Sequence, residues 1–272
     1  FGGYLAVGMM LLAWISFKRE WIIVKRIKEV IGGMLSRKPI LKPLLERWGA
    51  YGVEIVLTTI GIILFASTLV ITFSRSAWLA LFVGLGVVFF FHLIFKKHIS
   101  KKPLKLLLIG LLTLVITMMT FGPAVMTRIS GGTQLESNSI EERVSGYAWF
   151  DDIVGMNIFT GVGIGTYTAA LSVVDEGHES YEYQPLHNTL LLMLSELGLI
   201  GFALFVIWFT AIDLTCYRKG KTLGGIFGMG IGSTILVLAL FDHYPWSNWA
   251  GLSLMAVVFA LMLRFGLEAK KT

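Results

Sequence analysis

The chain has 272 residues, of which 56% are hydrophobic and 15% charged, with six more basic than acidic side chains. That apolar share exceeds the roughly 45–50% usual for soluble domains and excludes an ordinary soluble fold. A pI near 9.4 would suggest nucleic acid if the basic residues formed one soluble patch, but they are spread through the connections between apolar runs.

Seven apolar segments follow in chain order, at about 2–17, 52–73, 77–95, 104–121, 188–212, 223–241 and 247–265. Several reach the ~20 residues that carry a helix across a ~30 Å hydrocarbon layer. Helices satisfy their own backbone in lipid, and the alternation of barrel strands is absent. The expected fold is therefore all-α: a polytopic transmembrane bundle of about seven helices, with one long outer loop containing short helices. The chain opens on Phe1 inside an apolar run, and we read it as one membrane domain, residues 1–272, from the C-terminal part of a longer protein. Cys216 is the single cysteine, so no internal disulfide and no cysteine-based zinc cluster is expected.

Charge sets the orientation. With the first segment running inwards, the connections 18–51, 96–103 and 213–222 and the C-terminal tail lie inside, and 20 of the 23 Lys and Arg fall on them and the adjoining helix ends. Cytoplasmic connections carry this excess. Residues 18–51 read as a basic interfacial linker mixing Lys and Arg with Trp, Ile and Leu, either resting on the inner leaflet or simply solvated. Three arginines remain outside: Arg75, Arg128 and Arg143. Arginine is a bidentate ligand for phosphate. We assign such a function to Arg75 and Arg143, and to Arg128 pairing with the acidic residues of its loop.

The outer loop, 122–187, is too long to be only a connector. Ser139 and Glu142 form a capping box that predicts a helix from about Ile140, with Ile140, Val144, Tyr147 and Val154 on one side and Arg143 at the border of that face. The glycine-rich "GVGIGTY" at 161–167 lacks the preceding strand and the spacing of a nucleotide loop. It reads as a turn whose bare backbone approaches another element or a substrate. His187 stands before or within the first turn of the next helix. The positive helix end disfavours imidazolium there, so a neutral ring could accept a proton; the plainer alternative is an interfacial residue beside Asn188 at the helix cap. Glu196, nine residues on, falls half a circle away and is expected to face the bundle rather than pair with His187. Gly224, Gly228 and Gly232 form a small-residue row for close helix packing. Asp242 and His243 make a second outer polar cluster, lining the same cavity or simply adjoining an aromatic belt of Tyr244, Trp246 and Trp249. Asp151 and Asp152 with His178 or His243 lack the spacing of a metal site, and no metal is assigned. No nucleophile-elbow sequence supports a serine hydrolase.

Five stretches then carry a resemblance: "FSRSAWLAL" at 73–81, "RVSGYAWFDDI" at 143–153, "GVGIGTY" at 161–167, "HNTLLLMLSELGLIGF" at 187–202 and, more loosely, "FDHYPW" at 241–246. In this order and at these loop positions the chain resembles the O-antigen ligase/polymerase family of bacterial membrane glycosyltransferases. The resemblance implies transfer of a glycan from undecaprenyl diphosphate to an acceptor sugar hydroxyl, on the outer face of the cytoplasmic membrane and without metal or other cofactor. Its partners would be that lipid-linked donor, a glycan or glycolipid acceptor and the bilayer, with no nucleic acid. By motif, His187 inherits the base, and Arg75 and Arg143 the diphosphate. Asn188, Tyr147, Gly163, Asp242 and His243 complete the candidate substrate-binding set, and residues 122–187 become a catalytic loop. The same arginines would also suit a transporter or flippase of lipid-linked glycans, or a non-catalytic family member. A flippase, however, calls for charges midway along several helices, and here they gather at one end.

Overall fold

The computed structural model describes residues 2–15, 41–96, 101–130, 143–144, 146–177, 179 and 182–267. Most of the 18–51 linker, together with Ser139, Ile140, Glu142, His178 and the side chain of Arg128, lies outside what is described. The helices whose bounds are described follow in order: α1 (Gly2–Ile15), α2 (Leu41–Ile71), α3 (Arg75–Lys96), α4 (Lys101–Thr120), α5 (Gly122–Ser130), α6 (Phe150–Met156), α7 (Tyr167–Val174), α8 (Thr189–Arg218), α9 (Leu223–Phe241), α10 (Tyr244–Ser247) and α11 (Trp249–Leu267). The described residues contain no strand.

Four helices, α3, α8, α9 and α11, are long and apolar enough to cross a membrane, and α1 and the apolar parts of α2 and α4 are three shorter apolar helices. These are the seven segments read from the sequence, and the chain is a multi-pass helical membrane protein. α2 departs from expectation in starting at Leu41, so its helix runs back into what read as linker.

α9 is the buried centre of the bundle, and glycine lets its neighbours close on it. A Cβ on Gly84 of α3 would lie 3.0 Å from the Gly230 carbonyl oxygen, and one on Gly230 the same distance from that of Gly84. On other sides, a Cβ on Gly228 would lie 2.5 Å from Cys216 Sγ of α8, and one on Gly232 2.6 Å from Met262 Cε of α11. Backbones this near are how membrane helices gain dispersion contacts where lipid removes the hydrophobic drive. The expected row at Gly228 and Gly232 thus packs α8 and α11, and Gly230 adds a face toward α3.

The bundle has two distinct ends. At one, Tyr4 Oη donates to the Ala250 carbonyl, Ser76 Oγ to Asp242 Oδ2 at 3.0 Å, and Thr189 N to the Asp242 carbonyl at 3.1 Å. At the other, Trp14 meets Phe265 with centroids 4.8 Å apart and Phe95 meets Tyr217 at 6.0 Å. Arg218, Lys219, Lys221 and Arg264 belong to the second end, and Arg75 and the long loop to the first.

Helix α8 is pinned to both ends of α9, by Thr189 at Asp242 and by Cys216 against Gly228. Its 30 residues would measure ~45 Å if straight, against ~28 Å for the 19 of α9. It cannot run straight beside α9, and it breaks at Gly198, where φ is 65° and ψ is −176°. The lower limb alone covers ~30 Å of membrane. The upper limb, from Thr189, is bent away from the lower one and tied to the first end of the bundle at Asp242.

Candidate functional site

The break in α8 is filled by the glycine loop. Leu199 N and Ile200 N would ordinarily donate to Ser195 O and Glu196 O one turn earlier. Instead they donate to Ile158 O and Phe159 O at 2.9 and 3.2 Å, while Ser195 O and Glu196 O accept from Val162 N at 2.9 Å and Gly163 N at 3.0 Å. Two helical bonds are thus exchanged for four to the loop, which answers the requirement that backbone groups at membrane depth find protein partners. Only glycine suits the junction. A Cβ on Gly161 would lie 2.5 Å from Gly198 N and one on Gly198 2.5 Å from Gly161 N. Both residues have positive φ, as do Gly163 and Gly165. The bare backbone of 161–165 therefore meets another element of the protein, and the amide of Gly163 is used there.

Glu196 sits in the upper limb, 4% exposed. Its Oε2 accepts from Gly165 N at 2.9 Å and from Trp246 Nε1 at 2.7 Å, and its Oε1 from Tyr167 N at 3.3 Å. It faces inward as its half-circle offset predicted. The partners come from α10 and from the start of α7, and nothing in the spacing of the sequence announced them. Tyr167 is buried, which pushes its phenol up to about 12, and its Oη donates to Gly146 O at 3.4 Å.

That bond also bears on a correction. In place of one helix through 140–154, Arg143 and Val144 are helical and a turn follows at 146–149. The Gly146 carbonyl is taken by Tyr167, and Phe150 N donates instead to Tyr147 O at 3.3 Å. The supposed apolar face does not form: Val144 and Tyr147 are exposed, and on α6 it is Ile153, beside Val154, that is fully buried.

The histidines come together above this frame. Asn188 caps α8, its Oδ1 accepting from Leu190 N and Leu191 N at 3.0 and 3.1 Å. This fixes His187 at the mouth of the helix. Thr189 holds Asp242 with both N and Oγ1, so that His187 meets His243 edge to face with ring centroids 4.8 Å apart and planes at 89°. His243 Nδ1 lies 2.6 Å from Ser247 Oγ across one turn of α10. Asp242 Oδ2 accepts from Ser76, next to Arg75 at the start of α3. Burial, and next the Arg143 guanidinium, lower the pKa of His187 below the usual histidine value, with Asp242 opposing. Burial and then His187 lower that of His243, where Asp242 again opposes and Arg143 adds to the lowering. Both shifts favour the neutral ring. Arg143 is half-buried, and its Nε, fully shielded, has no hydrogen-bond partner among the described residues.

The structure thus gathers Arg143, His187, Asp242 and His243, with Arg75 one residue from the Ser76 that ties α3 to Asp242. Asn188 is adjacent, its oxygen spent on the cap. Gly163 belongs to the docking loop, and Tyr147 is an exposed turn residue. Asp151 and Asp152 are exposed on α6, and among the described residues no three His, Cys, Asp or Glu side chains converge as a metal would require. Sequence reasoning missed Ser76, Tyr167, Trp246 and Ser247. Each lies in or beside a quoted motif, but their contacts join residues 4 to 166 positions apart.

A family model described as O-Antigen ligase matches residues 60–206. That range holds Arg75, Arg143, the glycine loop, His187 and Glu196, and stops short of Asp242 and His243. No curated protein and no solved structure matches the chain.

Proposed function

The chain belongs to the O-antigen ligase family, and from that premise we propose that it transfers a glycan from an undecaprenyl-diphosphate carrier to an acceptor sugar hydroxyl at the outer face of the cytoplasmic membrane. The orientation rests on the charges: the described basic residues of the connections gather at one end and the site at the other, as cytoplasmic connections rich in Lys and Arg require. A donor that carries its own diphosphate suits a compartment without nucleotide sugars. His187 takes the proton from the acceptor hydroxyl as its oxygen bonds to the anomeric carbon. The bond from that carbon to the diphosphate breaks on the opposite side, with inversion, and no metal takes part. Arg75 and Arg143 hold the charge that grows on the departing lipid diphosphate. His243, Asp242 and the amide nitrogen of Asn188 line the acceptor side, with Tyr147 at the rim.

One observation carries the reading. A half-buried imidazole, its basicity lowered by burial, stands beside a guanidinium whose shielded Nε has no partner among the described residues. Neutral base and anion receptor are the two parts that displacement of a diphosphate demands.

The test is transfer from lipid-linked donor by purified protein. His187→Ala should lower kcat by about 10²–10⁴-fold, the usual worth of a general base. Arg75→Ala and Arg143→Ala should each cost about 10²–10³-fold. Full activity in all three variants defeats the proposal. Donor translocation across vesicles without consumption would mark a transporter instead.

A further inference from the structure

Among the described residues Glu196 is the one buried carboxylate at this end of the bundle that the reaction does not use, and its three partners lead to the two halves of the site. Trp246, which donates to Oε2, lies in the four-residue helix that begins beside His243, and Trp246 N donates to the His243 carbonyl at 3.0 Å. The next residue, Ser247, holds the His243 ring through Nδ1 at 2.6 Å. On the other side Gly165 N and Tyr167 N start α7, and Tyr167 Oη holds the carbonyl of Gly146, three residues after Arg143. Glu196 is itself nine residues from His187 on the limb that the break at Gly198 bends away from the rest of α8. Every donor it meets among the described residues is a neutral N–H, so both of its oxygens are engaged without a cation.

We propose that Glu196 is a positioning residue that fixes the spacing between Arg143 and the His187–His243 pair, by holding the loop that leads to Arg143 and the helix that carries His243 on one carboxylate. The inference rests on the glycosyl-transfer reading of the site. Glu196 touches no substrate. It acts because an ångström of drift between an anion receptor and a base is costly, about 100-fold in rate.

The perturbation is Glu196→Gln, which keeps size and one acceptor oxygen but turns an NH₂ group toward an N–H donor. Two readouts apply to the purified protein in detergent. The first is transfer kinetics. The second is the rate at which diethyl pyrocarbonate modifies His187, read by mass spectrometry against pH, which reports the imidazole directly and needs no turnover. The charged groups facing His187 are Arg143 and Asp242, with His243 packed against it. Drift of Arg143 and looser burial both relieve what lowers its basicity, so its titration midpoint should move up. The expected result is a kcat loss of about 10–100-fold, donor KM little changed, and the midpoint and acid limb of the rate profile both moved to higher pH. An unmoved midpoint in folded protein overturns the proposal, whether or not kcat falls. Where Glu196→Gln does not fold, Trp246→Phe removes one donor and leaves the carboxylate. It should move the midpoint the same way, and failure to do so is equally fatal. If the functional reading itself is wrong, His187→Ala stays fully active while the modification midpoint still reports on Glu196, so the two failures are separable.

Discussion

Replacing Gly198 by alanine tests the junction on which the site is built. At φ 65° and ψ −176° the residue occupies a region that is essentially glycine's alone, and a side chain there costs about 1–3 kcal/mol. The new Cβ would also approach within 2.5 Å of Gly161 N and closer still to the carbonyl of Phe159. Both atoms are backbone and cannot swing aside, so the loop must leave. Four hydrogen bonds go with it, at Ile158, Phe159, Val162 and Gly163. If α8 comes off its pins and straightens, the strain is relieved and two helical bonds return, leaving a net loss of two at about 0.5–1.5 kcal/mol each. The expected penalty is about 1–3 kcal/mol plus the contacts that the upper limb gives up when it is released from its turn, borne locally.

Amide hydrogen exchange reads this directly, through protection at Val162, Gly163, Leu199 and Ile200. Two controls separate strain from collision. Gly165 has φ 73° and open space around its Cβ position, so Gly165→Ala carries the left-handed penalty alone, about 1–2 kcal/mol. Gly155, in α6, has open space and no positive φ, so Gly155→Ala should be neutral or stabilising by about 0.5–1 kcal/mol. Gly198→Ala with wild-type protection at the four amides would refute the reasoning, as would an effect no larger than that of Gly165→Ala. Transfer activity should fall with the protection, since His187 rides on the limb that is released.

The two charges beside His187 should move its rate profile in opposite directions. Arg143 lowers its pKa and Asp242 raises it, so the acid limb of kcat/KM should move to higher pH in Arg143→Ala and to lower pH in Asp242→Asn. A pH–rate series on residual activity checks both, and shifts of the same sign would exclude His187 as the titrating base. At the centre of the bundle, Gly230→Val would force its side chain toward the Gly84 carbonyl and Val88. Overpacking of this kind costs about 1–3 kcal/mol. Thermal inactivation of the purified protein should show the loss, with the rate profile of the surviving fraction unchanged.

The spans were legible because lipid leaves few solutions: an apolar run of the required length and basic connections decide most of a membrane topology. The candidate side chains stood out because basic residues at that end are scarce, which made Arg75, Arg143 and His187 conspicuous. The break in α8 was not. Gly198 stands in "SELGLIGF", and glycine within an apolar run reads first as a packing residue, as Gly228 and Gly232 are. What breaks the helix is the loop at 158–163, whose hydrogen bonds to α8 cross more than thirty residues. Spacing along the chain cannot show such pairings. Glu196 shows the same limit. Its half-circle offset from His187 placed it on the inner side, but its donors come from 31, 29 and 50 residues away. The reading of 140–154 as one helix failed for a related reason, since the Gly146 carbonyl is drawn to a tyrosine 21 residues on.

If Arg143 receives an anion as proposed, the distribution of acceptors at the site end bears on how its charge stays available beside carboxylates. A carboxylate near an arginine ordinarily pairs with it and removes the charge that an anionic substrate would meet. Glu196 has its oxygens occupied by two backbone amides and an indole, all neutral, so it is satisfied in place. Asp242 gives one oxygen to the Ser76 hydroxyl and its carbonyl to Thr189. It acts on His187 and His243 by charge, in the direction opposite to Arg143. These two carboxylates are thus met by neutral donors among the described residues, and the guanidinium Nε of Arg143 is left without a described partner. A diphosphate arriving there would supply the acceptor that the fold withholds. Its departure as a more highly charged leaving group would strengthen the same bond, which is the condition for accelerating the chemical step rather than only binding the donor.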